Sequence, residues 1–184
     1  ALTYNVKSLP SPVYETENDP AYLVSEAVYK QDGEMLDYVL MLDGAQVTAY
    51  RKYYYDGPRQ IDYILQYDAI GDMNTAEKTD LKSKTVYWDD NMDWQGSVVT
   101  TALDESERIQ WIFTYKDGTT IDEDASYSTR IDYRYKDNDV ENLIYTKEYN
   151  VKGLVNPNQI ALPDERLLAY TVYNGNGDRA ELVY

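Results

Sequence analysis

Apolar and polar side chains alternate along several short stretches of this chain, and each stretch stops at a cluster of Asp, Asn, Lys or Gly. In the clearest stretch, Ile109 to Tyr115, the odd-numbered residues place Ile, Trp, Phe and Tyr on one face before the chain turns at Lys116 to Gly118. A period of two residues is that of a β-strand, and Asp, Asn and Gly adopt the backbone angles of tight reversals. The pattern therefore predicts β-hairpins.

The same design recurs along the chain. Ile61 to Tyr67, Ile131 to Tyr135 and Leu143 to Tyr149 alternate in the same way and lead into turns. Roughly ten turns of this kind predict about a dozen strands of ordinary length. We therefore expect an all-β fold, an antiparallel meander that forms a strongly curled or barrel-like sheet, because so many strands rarely stay flat and open.

Three segments depart from this rhythm. Residues 1 to 22 hold three of the six prolines and predict an extended lead-in. Residues 75 to 83 fit one short helix with Thr75 as its N-cap, and residues 153 to 166 read as a long loop. At 184 residues one domain is the default, so residues 23 to 184 are predicted to form a single Tyr-rich hairpin domain.

Tyrosine and acidic residues dominate the composition. The chain has 21 Tyr against one Phe, which suits sheets whose rings are half covered, because Tyr buries its ring and keeps its hydroxyl at water. The formal net charge of −16 repels the phosphates of nucleic acids and the headgroups of anionic lipids. Nucleic acid is therefore excluded as an expected partner.

Several kinds of catalytic and metal site are missing from the sequence. With no His and no Cys, the chain lacks the commonest general base, the commonest zinc ligand and the usual nucleophile pairs. The acidic runs 89 to 93 and 137 to 141 could supply oxygen ligands, but neither matches a twelve-residue calcium loop, so we expect no metal and no cofactor. A pair of carboxylates, as glycosidases use, is the remaining catalytic option.

Aromatic residues beside an acidic turn are the candidate ligand-binding residues. Tyr87, Trp88 and Trp94 flank residues 89 to 93, and exposed rings beside carboxylates commonly stack a sugar ring and hold its hydroxyls. The alternative is that Trp88 and Trp111 are core rings and that Trp94 caps a loop, because large aromatic side chains are usually buried.

The sequence also bears on location. No stretch approaches the ~20 apolar residues of a membrane-spanning helix, and the second face of the strand around Ile131 carries Arg130, Asp132 and Arg134. We therefore expect a chain that does not span a membrane. The start at Ala1 is the start expected of a mature secreted protein after cleavage of its signal peptide, and a chain trimmed for other reasons would start in the same way.

Three tyrosine phrases carry a resemblance to known proteins. Tyr53 to Gly57, Tyr67 to Gly71 and Tyr173 to Gly177 each run from Tyr through Asp or Asn to Gly. They resemble the tyrosine-aspartate (YD, Rhs-type) repeat and secreted bacterial envelope domains of unknown function with a porin-like sheet. The resemblance covers most of residues 23 to 184, and it implies an envelope or extracellular location and a binding or scaffolding task.

Two functions are therefore expected from the sequence. The first is a non-catalytic binding or scaffolding module, secreted, periplasmic or at the cell surface, for a glycan or an envelope protein. The second is a carboxylate-based glycan hydrolase.

Overall fold

Pairing between neighbouring strands confirms the all-β prediction in a computed structural model of the chain. The structure describes residues 1 to 4, 23 to 57, 60 to 87, 108 to 116, 127 to 135, 143 to 158, 161 to 173 and 180 to 183. The strands are β1 (Leu2–Tyr4), β2 (Leu23–Tyr29), β3 (Leu36–Asp43), β4 (Gln46–Gly57), β5 (Gln60–Ile70), β6 (Glu77–Tyr87), β7 (Ile109–Tyr115), β8 (Tyr127–Tyr135), β9 (Leu143–Asn150), β10 (Leu167–Tyr173) and β11 (Ala180–Val183).

The hydrogen-bonded order of the strands follows the chain from β1 to β11, which is an antiparallel meander. The stretches 61 to 67, 109 to 115 and 131 to 135 lie in β5, β7 and β8 as predicted. Within the described residues, β1 and β11 stand at the two ends of this order. The barrel-like closure and the number of about a dozen strands are therefore not confirmed.

The helix predicted near residues 75 to 83 is wrong, because residues 77 to 83 belong to β6. Leu81 in this segment is fully buried, and the paired neighbours β5 and β7 satisfy the backbone of the strand. A helix of one or two turns is marginal in water by comparison. Thr75 belongs to a turn instead, in which its N–H donates to the Asp72 Oδ1 at 3.0 Å.

The described residues divide into two compact units, which we call unit 1 and unit 2. Unit 1 comprises the described residues of Ala1–Tyr54 and Ile64–Lys82, and unit 2 those of Tyr55–Tyr63, Ser83–Lys116 and Asp124–Tyr184. The division into a lead-in of residues 1 to 22 and one domain of residues 23 to 184 stays a prediction.

Unit 1 has an aliphatic core. The cluster consists of buried side chains from β2 to β5, namely Leu23, Leu40, Leu42, Val47 and Ala69. Met73 and Ala76, in the connection between β5 and β6, pack against it. The Val47 N–H donates to the Gly71 carbonyl oxygen at 2.9 Å, which fixes the start of this connection to β4.

Unit 2 buries aromatic rings and one arginine. Phe113 and Arg130 are both 0% exposed, and they lie opposite each other on β7 and β8. A second cluster, of Tyr149, Val151 and Leu162, joins β9 to the segment that follows it. Residues 153 to 166 of that segment are the predicted long loop, and their described part contains a single 3-10 turn at Asp164–Arg166.

Candidate functional site

The register of four strands in unit 2 places a row of large side chains across the sheet. Trp111 of β7 is paired with Asp132 of β8, Asp132 with Lys147 of β9, and Lys147 with Tyr170 of β10. Directly paired residues share a face in an antiparallel sheet. Side chains that are far apart in the sequence are thereby brought together on one surface.

A second pair extends this surface toward one end of the strands. Arg134 of β8 is paired with Tyr145 of β9, two residues along from Asp132 and Lys147, and therefore on the same face. The rings of Tyr145 and Tyr170 meet edge to face, with centroids 5.4 Å apart. The surface thus combines aromatic rings with cationic side chains.

A cleft of about 280 Å³ lies on this surface. Its volume lies just below the ~300 Å³ at which the usual range of small-molecule sites begins. It is lined by residues of β7, β8, β9 and the segment 161 to 164, namely Gln110, Trp111, Asp132, Tyr133, Arg134, Tyr145, Lys147, Tyr149, Ala161, Leu162 and Asp164.

Arg130 adjoins the cleft and holds Asp132, one of its lining residues. Its Nε and Nη2 donate to the two carboxylate oxygens of Asp132 at 2.5 and 2.7 Å, and its Nη1 donates to the Pro157 carbonyl oxygen at 2.7 Å. The guanidinium carbon lies 4.9 Å from the ring centroid of Trp111 and 6.0 Å from that of Tyr149. A planar guanidinium suits such a position, because it can donate in its plane and stack above it.

The titration of the cleft residues follows from their burial. Burial raises the pKa of Asp132, while the hydrogen bonds from Arg130 and the charge of Lys147 act in the opposite direction. With both oxygens accepting from the guanidinium, Asp132 has the geometry of a carboxylate. Burial also raises the pKa of Tyr145 and of Tyr149, so both phenols keep their protons at neutral pH and can donate hydrogen bonds.

Of the ligand-binding residues predicted from the sequence, only Tyr87 lies within the described residues. Tyr87 is the last residue of β6 and is paired with Ile109 of β7. It is not one of the described residues that line the cleft. Trp88 and Trp94 lie outside that part, as do the acidic runs 89 to 93 and 137 to 141. The aromatic site predicted around Trp88 and Trp94 therefore stays a prediction.

The residues of the cleft are not among the site residues predicted from the sequence. Arg130, Asp132 and Arg134 form the charged second face expected of a strand outside a membrane, whereas Arg130 is fully buried. The sequence does contain a signal for the cleft. The charged face of the strand around Ile131 is followed, in the next predicted strand, by a face with Tyr145, Lys147 and Tyr149, and a long loop comes after it.

The described residues were also compared with the requirements of a metal site and of a membrane-spanning helix. No group of three or more His, Cys, Asp or Glu side chains that could hold a metal occurs there. Helices long and apolar enough to cross a bilayer are also lacking in these parts of the chain.

Comparisons with protein-family models, with curated proteins and with solved structures gave no match to this chain.

Proposed function

We propose that this protein is a non-catalytic binding module and that the cleft of unit 2 holds a glycan. The observation that carries the proposal is the lining of the cleft, in which the partly exposed rings of Trp111 and Tyr145 adjoin the charged groups of Arg134, Lys147 and Asp164. Aromatic faces stack on the apolar face of a sugar ring, and charged or hydroxyl groups hold its hydroxyls.

The hydrogen bonds of Arg130 next to the cleft support the same proposal. Arg130 connects β8 to the segment 151 to 158 through Pro157 and fixes the Asp132 carboxylate. A site whose side chains are held before the ligand arrives loses less entropy on binding. Sugars form many weak hydrogen bonds, so their binding depends strongly on such preorganisation.

A glycan array followed by calorimetry on the strongest ligand tests the proposal. Tyr145→Ala should weaken binding by about thirtyfold, as expected for an aromatic residue at the centre of a site. The matched control is Tyr29→Ala in unit 1, whose side chain is 45% exposed, and it should leave the affinity unchanged. Binding that is insensitive to Tyr145→Ala, or no binding to any glycan, would contradict the proposal.

The same assay separates the cleft from the site predicted on the sequence. Trp88→Ala and Trp94→Ala should bind the glycan as the unmodified protein does if the cleft is the site. Loss of binding in these two variants, with Tyr145→Ala unaffected, would assign the function to the aromatic residues around the turn 89 to 93.

A carboxylate-based glycan hydrolase is the second candidate, because Asp132 and Asp164 both line the cleft. An acid and a base flanking a glycosidic bond would be needed. The engagement of both Asp132 oxygens by Arg130 favours binding over hydrolysis, since neither oxygen is then available to donate a proton. Release of reducing ends that is abolished by both Asp132→Asn and Asp164→Asn would establish the hydrolase instead.

The proposed location is secreted, periplasmic or at the cell surface, with a glycan or an envelope protein as partner. The acidic, tyrosine-rich composition and the resemblance of the tyrosine phrases to YD repeats support this location. Protease digestion of intact cells, followed by detection of the chain, tests it. A strong curl of the sheet, predicted from the number of strands, remains part of the proposal.

A further inference from the structure

The balance of charge at the cleft differs from that of the whole chain. The chain carries a formal charge of −16, whereas the described lining of the cleft holds two cations, Arg134 and Lys147, and two carboxylates, Asp132 and Asp164. The buried Arg130, which binds Asp132, adds a third cation beside them. An acidic protein that concentrates positive charge at one small cleft creates a local potential that attracts anions.

The Arg130–Asp132 pair accounts for the charge of one of the two carboxylates at the cleft. Both oxygens of Asp132 accept hydrogen bonds from Arg130, so the charge of this carboxylate is matched by the adjacent guanidinium. Lys147, paired with Asp132 across the strands, therefore contributes a charge that Asp132 alone does not neutralise. Arg134 is a second cation in the lining, and Asp164 is exposed, where water screens its charge.

The cationic groups lie beside aromatic rings. The Lys147 Nζ is 5.8 Å from the ring centroid of Tyr145 and 5.7 Å from that of Tyr170, and Arg134 is paired with Tyr145. A ligand that stacks on Tyr145 would thus present its substituents to two cations. Charge-assisted hydrogen bonds from Lys or Arg to an anionic oxygen are among the strongest contacts that a protein makes in water.

We propose that the glycan bound in the cleft is acidic, an oligosaccharide that bears carboxylate or sulfate groups, and that Arg134 and Lys147 select it over neutral sugars. This inference rests on the proposed function. It adds the chemical class of the ligand and the residues that discriminate it.

Calorimetry with three oligosaccharides of equal length tests the inference: one built of uronic acids, one sulfated and one neutral. At least one acidic ligand should bind at least about tenfold more tightly than the neutral ligand. Its affinity should fall as the salt concentration is raised from about 0.05 to 0.5 M, because the screening length shortens. The two acidic arms show which anion is preferred.

Lys147→Met should weaken binding of the acidic ligand by about tenfold, the loss expected for one hydrogen bond to a charged group. Lys147→Arg should restore most of the affinity. The matched control is Lys84→Met, which removes a lysine that lies over the Tyr63 ring elsewhere in unit 2 and should leave the affinity unchanged. Circular dichroism and thermal unfolding confirm that the variants are folded.

The outcomes separate the two proposals. Equal or tighter binding of the neutral ligand overturns the acidic specificity and leaves the glycan-binding function intact. Equal losses in Lys147→Met and Lys84→Met also overturn the assignment to the cleft. Binding of none of the three oligosaccharides overturns the specificity, and a glycan array without any ligand overturns the function as well.

Discussion

Units 1 and 2 each pack a connecting segment against a hydrophobic cluster, but the buried groups differ in chemistry. In unit 1, the connection between β5 and β6 packs on aliphatic side chains through Met73 and Ala76. In unit 2, the segment after β9 adds Val151 and Leu162 to a cluster with Tyr149 and accepts a hydrogen bond from the buried Arg130. Aliphatic side chains in a core need no hydrogen-bond partners, whereas a buried charged side chain needs polar groups around it. Those polar groups are what give unit 2 its polar cleft.

The two units also use cations and aromatic rings differently. In unit 1, the Lys78 Nζ lies 4.6 Å from the Tyr50 ring centroid and 5.1 Å from that of Tyr67, and burial lowers the pKa of this lysine. In unit 2 a fully buried cation, Arg130, lies near the rings of Trp111 and Tyr149, and its planar guanidinium can donate hydrogen bonds while it stacks on rings. A lysine suits the partly exposed stack, and an arginine suits the fully enclosed one.

The largest expected effect is the loss of the buried charge in unit 2. Arg130→Met should lower the free energy of unfolding by about 3–5 kcal/mol, because it leaves the Asp132 carboxylate without its partner. Arg130→Lys should also be costly, since an ammonium group cannot replace two parallel hydrogen bonds. Urea unfolding followed by tryptophan and tyrosine fluorescence measures both.

A double variant shows whether the charge pair is the cause. Arg130→Met with Asp132→Leu removes both charges, and it should be more stable than Arg130→Met alone, because no unpaired charge remains. A double variant as unstable as the single one would mean that packing of the guanidinium against Trp111 and Tyr149, and not its charge, sustains unit 2.

The aliphatic core of unit 1 should respond to volume and not to charge. Leu40→Ala should cost about 3 kcal/mol, because it opens a cavity at a residue that is 2% exposed. Leu40→Met should cost less than about 1.5 kcal/mol, since it conserves volume. Leu2→Ala, at a side chain that is 49% exposed, is the control and should change stability by less than about 0.5 kcal/mol. If Leu40→Met lowered the free energy of unfolding as much as Arg130→Lys, the two units would not differ in their response to volume and charge.

The strands could be predicted from the sequence because their signal is local. The alternation in 109 to 115 ends at the same residues as β7, and that in 131 to 135 ends at the last residue of β8. The segment 77 to 83 was misassigned because a few charged residues and a possible cap fit a short helix equally well. Its place in a strand depends on pairing with β5 and β7, which a local pattern does not contain.

The cleft could not be predicted, for a related reason. Its residues come from three strands and a loop, and they meet only through the register that pairs Asp132 with both Trp111 and Lys147. From the sequence, the charged face of β8 is expected to be exposed to solvent. Arg130 is buried because the segment around Pro157, which accepts a hydrogen bond from it, packs against it. A periodicity shows which residues share a face, but it does not show what covers that face.

Strain in the connection of unit 1 should give the next largest effect. Gly71 has φ +107°, and a Cβ there would meet the Thr75 carbonyl oxygen at 2.6 Å, so Gly71→Ala should cost about 2 kcal/mol. At Gly33, with φ +71°, a Cβ would meet nothing within 4 Å, so Gly33→Ala should cost about 1 kcal/mol from the backbone alone. Urea unfolding of the two variants measures the difference. Equal losses would show that the Thr75 contact relaxes freely.

The smallest expected effect is alkaline, and it compares one tyrosine in each unit. Burial, with the nearby Tyr38 and Asp37, raises the pKa of Tyr50 from 10.0 to about 12, and burial raises the pKa of Tyr135 to about 12, although Arg108 opposes this. Because the unfolded chain loses these protons first, the contribution of each phenol is complete below pH ~10 and is lost as the pH rises toward ~12.

Tyr50→Phe and Tyr135→Phe should therefore each flatten the fall in the urea midpoint between pH ~10 and ~12, by a small amount because both phenols are partly open to solvent. The units should differ in their response to salt. Salt screens the Asp37 charge and lowers the pKa of Tyr50. At Tyr135 salt screens both Tyr133, which raises the pKa, and Arg108, which lowers it, so the net change in pKa should be smaller. Absorbance titration of tyrosinate in each Phe variant, at low and high salt, measures this. A larger effect of salt on the pKa of Tyr135 than on that of Tyr50 would contradict the roles given to Asp37 and Arg108.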